Sequence, residues 1–203
     1  MDKYTAQEKA FQKKLFISGT NIPKNKANIK DKESLKDFEE MHFSIKSLNP
    51  PEGDFSSNHL KKIHKHLLED VYDWAGEYRN FPTARGESAF CRPEFIKQET
   101  DKITKAIDIS ELKKLREKEF VKKLAHTIGE LNAIHPFLDG NGRAIRIYAQ
   151  QIAKAAEYEL NIEKIREKPW NQASIESFHG NNKPLERIIS RNLTRTKDLG
   201  VGR

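Results

Sequence analysis

The chain has 203 residues, of which 36% are hydrophobic and 33% charged, with only 10 glycines and 8 prolines. This gives room for one compact domain with a real core, in the balance of a helix-rich soluble protein, and argues against two full domains or disorder throughout. The net charge of +7 arises from 37 basic against 30 acidic residues, a mixture that reads as solvated helix surface and not as a nucleic-acid interface.

Cys91 is the single cysteine, so no internal disulfide and no cysteine-ligated metal cluster can form, which fits a reducing cytosol. The first 16 residues carry Lys3, Lys9, Lys13 and Lys14 among their apolar residues, unlike a signal peptide. No stretch approaches the roughly 18 apolar residues of a membrane span.

In chain order, residues 18–30 are rich in turn formers and read as a structured loop. Asp31 is placed to cap a helix whose apolar face takes Leu35, Phe38, Met41 and Ile45, and Asn-Pro-Pro-Glu-Gly at 49–53 ends it. Ser56 or Ser57 caps a second helix with Leu60, Ile63, Leu67 and Val71 in line, running to about Trp74. Between Gly76 and Pro93 the pattern changes to that of a short β-hairpin, the only one the sequence suggests. Pro93 opens the next helix, through Phe95, Ile96, Ile103 and Ile107. Phe120, Leu124, Ile128 and Leu131 mark another, ending near Ile134, and helix resumes from Arg143 to about Glu157. Two more are expected over 171–179 and 183–192, and the polar residues from Thr194 onward read as a frayed end or linker.

Residues 135–146 read His-Pro-Phe-Leu-Asp-Gly-Asn-Gly-Arg-Ala-Ile-Arg, placing a base, a carboxylate, a glycine turn and two guanidinium groups in one loop and helical turn. The N–H groups of Gly140 to Arg143 at a new helix N-terminus form an anion site. Gly140 and Gly142 are expected at positive φ, where a Cβ would obstruct a phosphate. Arg143 and Arg146, three apart, point to one side as a phosphate clamp. An acidic Asp139 beside phosphate calls for a bridging Mg²⁺. His135 is suited to take a proton from an attacking hydroxyl. Phe137 and Leu138 are expected to anchor the loop. His42, His59, His64, His66, His126 and His179 read as structural.

This segment resembles the Fic (Fido) domain motif, His-Pro-Phe-x-(Asp/Glu)-Gly-Asn-Gly-Arg-x-x-Arg, at every fixed position. The resemblance extends through Trp74-Ala75-Gly76, Arg79 and Phe90-Cys91-Arg92-Pro93 to Ala173-Ser174-Ile175 and Asn182 to Leu185. Gly19-Thr20-Asn21, Lys24-Asn25-Lys26 and Asp31 resemble the segment before the Fic core in secreted effectors of the Bartonella Bep type. The organisation implied is an N-terminal extension over 1–54, a Fic domain over 55–192 and a tail over 193–203. The fold implied is mostly α, a helical bundle with a β-hairpin flap over the active site.

The activity the resemblance implies is transfer of AMP from ATP to a Tyr, Thr or Ser hydroxyl of another protein. His135 would be the general base and Asp139 the Mg²⁺ ligand. Gly140, Asn141 and Gly142 would bind the α- and β-phosphates, Arg143 would support the β-phosphate and Arg146 would contact the γ-phosphate. Thr83, Ala84, Arg85, Gly86 and Glu87 would form the flap on which the target docks as an added strand.

Many Fic proteins restrain themselves through a (Ser/Thr)-x-x-x-Glu-(Gly/Asn) string. Thr127 to Asn132 comes nearest but is one residue short, so a separate small antitoxin-like inhibitor is implied. Location in the bacterial cytoplasm or translocation into a host cell follow as alternatives, with a host small GTPase or a topoisomerase as target. Transfer of another phosphate-containing group is the competing enzymatic reading. A non-catalytic basic adaptor is the third, and no recognition motif supports it.

Overall fold

The computed structural model describes residues 13–85 and 88–196. Gly86, Glu87, the side chains of Arg85 and Ser88, and the tail from residue 197 lie outside the described residues. Helices dominate: α1 (Lys32–Lys46), α2 (Ser57–Leu68), α3 (Pro93–Lys105), α4 (Ile109–Lys114), α5 (Glu117–Ile134), α6 (Asn141–Ala155), α7 (Glu167–Phe178) and α8 (Lys183–Arg191). Two short antiparallel pairs accompany them. β1 (Ala84–Arg85) pairs with β2 (Ser88–Ala89), and β3 (Tyr158–Leu160) with β4 (Leu193–Arg195).

Local chemistry sets the helix starts. Asp31 accepts from Ser34 N at 2.7 Å and Ser56 caps α2 by accepting from His59 N, each satisfying an N–H that has no partner inside the helix. Pro93 occupies the first turn of α3, where its missing N–H is no loss.

The bundle is organised around α6. Ala144, Ile145, Ile147, Tyr148, Ala149, Ile152 and Ala153 are all buried, and of the whole helix only Lys154 is exposed, as expected of a central helix whose polar side chains face a site. It packs against α2, α5 and β3, while α5 also contacts α3, α7 and α8. Each fully buried Leu or Ile in this core contributes about 1.5–3 kcal/mol, and the result is a rigid frame at the α5–α6 junction.

Three sequence expectations give way to tertiary context. Leu35 and Phe38 face inward as expected, but Met41 and Ile45 are exposed and Phe43 faces inward instead. The helix is rotated because Glu39, one turn after Leu35, is drawn inside by partners described below. The second helix stops at Leu68, and the chain turns before Trp74. The hairpin is not the only β pairing. Leu160 stands opposite Leu193, and Thr194 and Arg195 lie in β4 and not in a frayed end. Strands of three residues separated by more than thirty leave too weak a period-two signal for a sequence reading.

Candidate active site

The α5–α6 junction opens on a cavity of about 860 Å³, within the range of small-molecule sites. His135, Leu138 to Arg143 and Arg146 line it from below, Thr83, Ala84 and Phe90 from the hairpin, and Glu39 and Phe43 from α1. Trp170, Ser174, Ile175 and Phe178 of α7 close the far side. Its lining combines apolar side chains with guanidinium groups and backbone N–H groups.

His135 is the C-cap of α5, in the left-handed region with φ 49° and ψ 62°. A non-glycine residue is held there only where its surroundings compel it. Arg79 does so. Its Nε donates to His135 O at 2.7 Å and its Nη2 to Ile134 O at 3.1 Å, at the negative end of α5. The same guanidinium donates to Phe81 O at 2.8 Å and Cys91 O at 2.5 Å, tying the base of the hairpin to the end of the helix. Burial lowers the Arg79 pKa, and the four carbonyls take the place of a counter-ion. The His135 ring stacks on Phe90, centroids 4.0 Å apart and planes within 8°, so the residue that ends the hairpin also orients the base.

The loop between the helices is braced by two further side chains. Asn141 is buried, and its amide accepts from Phe137 N at 2.9 Å and donates to Phe137 O at 2.8 Å. Its side chain therefore holds the turn, and only its backbone N–H faces the anion site. His64 accepts from Gly76 N through Nδ1 and donates through Nε2 to Asp139 O, each at 2.8 Å, while its ring stacks on Phe137 at 3.8 Å. Burial pushes its pKa down to about 4, the Asp139 carbonyl opposing in part, so it is neutral at pH 7. The structural reading of His64 holds, and what it supports is the loop.

The two glycines differ. Gly140 has φ 75°, and a Cβ there would lie 2.5 Å from Leu68 Cδ1; the fold itself requires glycine. Gly142, expected at positive φ, is instead helical within α6, and a Cβ there would meet only Arg146 Nη1 at an ordinary 3.6 Å. The protein leaves that space open, on the side from which a ligand would approach the helix N-terminus. Leu138 is half-buried and lines the cavity, whereas Phe137 is fully buried as the loop's anchor.

Arg143 and Arg146 both reach the cavity. Arg146 lies over Trp170, 5.8 Å from the ring centroid; burial lowers its pKa and Glu167 opposes. Arg143 Nη1 meets Glu39 Oε2 at 2.8 Å, and its Nη2 stands 3.8 Å from Asp139. The Asp139 side chain is 58% exposed. Among the described residues no cluster of three His, Cys, Asp or Glu exists, so a cation at Asp139 would complete its shell from phosphate oxygens and water, which suits Mg²⁺.

Thus His135, Asp139, Gly140, Asn141, Gly142, Arg143 and Arg146 come together, with Thr83 and Ala84 at the cavity's upper edge. Sequence reasoning missed Glu39, the clamp made by Arg79 and the loop-bracing role of His64. Glu39 did leave a signal: it is a carboxylate between Leu35 and Phe43 at four-residue spacing, where an inward helix face favours an apolar residue.

A family model described as Fic/DOC matches residues 54–153. A probable protein adenylyltransferase of Sinorhizobium fredii is 36% identical over 90% of this chain and 96% of its own length. The protein adenylyltransferase VbhT of Bartonella schoenbuchensis is 35% identical over 86% of this chain, which corresponds to 38% of that longer protein. The crystal structure of BepC from Bartonella tribocorum with bound AMPPNP superposes with a TM-score of 0.82 at 25% identity, covering 91% of this chain and 97% of that one.

Proposed function

Because the chain belongs to the Fic/DOC family, we propose that it is a protein adenylyltransferase that moves AMP from ATP to a hydroxyl of another protein. The observation that carries the reading is the convergence of His135, the N-terminus of α6, Arg143 and Arg146 on one cavity. The relatives named as adenylyltransferases support it, as does the AMPPNP bound in the BepC structure.

The geometry supports the following chemistry. The phosphates of ATP lie against the N–H groups of Asn141, Gly142 and Arg143, with Arg146 beyond them, where donors and positive partial charge are already oriented, while Gly140 N donates to Asp139 Oδ1. The target hydroxyl oxygen bonds to the α-phosphorus as the bond from that phosphorus to the leaving oxygen of diphosphate breaks, and His135 takes the hydroxyl proton. Asp139 would hold Mg²⁺, which would supply neutralisation of the phosphate charge. The adenine packs on apolar side chains of the cavity lining, and the target docks along β1 as an added strand.

Among the described residues no helix is long and apolar enough to cross a membrane. A protein target and a separate small inhibitor are the partners this reading carries. Incubation with ATP labelled at the α- or γ-phosphate in a lysate tests it. Label moving to protein from the α-phosphate alone is the expected result; transfer from the γ-phosphate means phosphotransfer, and transfer from neither overturns the assignment.

A further inference from the structure

We propose that Glu39, on the helix that precedes the Fic core, is a positioning residue of the nucleotide site: it fixes Arg143 and thereby keeps Asp139 available to a cation. The inference rests on the reading of Arg143 and Asp139 as ligands of phosphate and metal.

Glu39 lies outside the span matched by the family model, 104 positions from its partner in sequence, yet its carboxylate is only 14% exposed. Both of its oxygens are engaged. Oε2 meets Arg143 Nη1 at 2.8 Å, and Oε1 accepts from the Tyr72 hydroxyl. Tyr72 is itself buried and stacked on Trp74, centroids 4.3 Å apart. The carboxylate is thus held between a rigid phenol and the guanidinium, and does not swing free into the cavity.

The consequence falls on Arg143. A guanidinium is a planar fork with five N–H groups; a carboxylate on one terminal nitrogen fixes the plane and leaves the remaining donors for other acceptors. The other carboxylate within reach is Asp139, one helical turn back and 3.8 Å from Nη2. Without Glu39, Arg143 has the rotamer freedom of a long side chain, and its nearest anionic partner is Asp139. Closing that gap removes a phosphate ligand and a metal ligand in one movement. The N-terminal helix is therefore part of the nucleotide site.

The test is a double-mutant cycle on the full chain. Binding of an ATP analogue is titrated with and without Mg²⁺ for wild type, Glu39→Ala, Glu39→Gln, Arg143→Ala and the double Ala variant, alongside thermal midpoints and the rate of auto-modification. Glu39→Ala is expected to weaken Mg²⁺-dependent binding about tenfold, Glu39→Gln less, since its amide oxygen still accepts. In the Arg143→Ala background the Glu39 substitution should have little further effect. A lowered midpoint with unchanged binding makes the contact merely structural and overturns the inference. Faster auto-modification in Glu39→Ala also overturns it, because the contact is then a restraint. Additive losses show that Glu39 does not act through Arg143. If Arg143→Ala alone binds as wild type, the phosphate reading of the site is what has failed.

Discussion

The loop bearing His135 and the hairpin above it share one cavity but are held by very different amounts of structure. The loop is fixed at each end and in the middle: Arg79 at His135 O, Asn141 across Phe137, His64 at Asp139 O. The hairpin has two register pairs, Ala84 with Ala89 and Arg85 with Ser88, and joins the frame at its base through Arg79 and Phe90. Proton transfer and phosphate binding demand placement to a fraction of an ångström, so the fold over-determines them. Recognition of another chain through an added strand needs only a presentable edge.

Substitutions should divide along this line. The largest effect belongs to His135→Ala, which should reduce AMP transfer by about 10²–10⁴-fold, with circular dichroism and the unfolding midpoint nearly unchanged. Retained transfer would sink His135 as the base. Next is Arg79→Met, which leaves four carbonyls without their donor and should lower stability by about 3 kcal/mol in chemical denaturation. Auto-modification should fall with it, since the same side chain sets His135 and the hairpin base. A variant as stable as wild type would show that water replaces the clamp.

The two glycines sharpen the comparison within the loop. Gly140→Ala should destabilise by about 1–3 kcal/mol, through positive φ and the clash with Leu68. Gly142→Ala should leave stability unchanged or improve it by up to about 1 kcal/mol while weakening ATP binding. Equal destabilisation by both would contradict the distinction between a glycine required by the fold and one required by the ligand. The smallest structural effect is expected on the flap. Combining Arg85→Glu with Glu87→Lys should change stability by less than about 0.5 kcal/mol and preserve auto-modification, yet alter which protein is labelled. If auto-modification disappears, the hairpin belongs to the nucleotide site and the division fails.

The sequence disclosed the parts whose signal is local. Apolar spacing located α2, α5 and α6, Asp31 marked the start of α1 and Ser56 that of α2, and the twelve residues from His135 carried the site. The groups that hold the site in place were not legible. Arg79 and His64 act across 56 and 75 positions of chain on backbone carbonyls, and a carbonyl leaves no trace in the residue type that bears it. The inward face of α1 was misread for a related reason. Met41 and Ile45 carry more hydrophobicity than Glu39, but Glu39 gains a cation and a phenol on turning inward, and specific partners outweigh the periodic pattern.

The bonds of His64 make the loop an acid-sensitive latch. One ring nitrogen must accept and the other donate, an arrangement only the neutral imidazole provides. With the folded pKa near 4 and the unfolded value at 6.5, the unfolded chain binds the proton more readily in between. The stabilisation is whole above pH 6.5 and drains away as pH falls toward 4, at most about 3 kcal/mol. Subtracting the pH profile of urea midpoints for His64→Gln from that of wild type should isolate this loss. A flat difference would mean that the ring can charge without leaving its place. If the latch opens, the anion-binding turn loosens while the apolar bundle behind it persists, so acid would disarm this protein before it unfolds it.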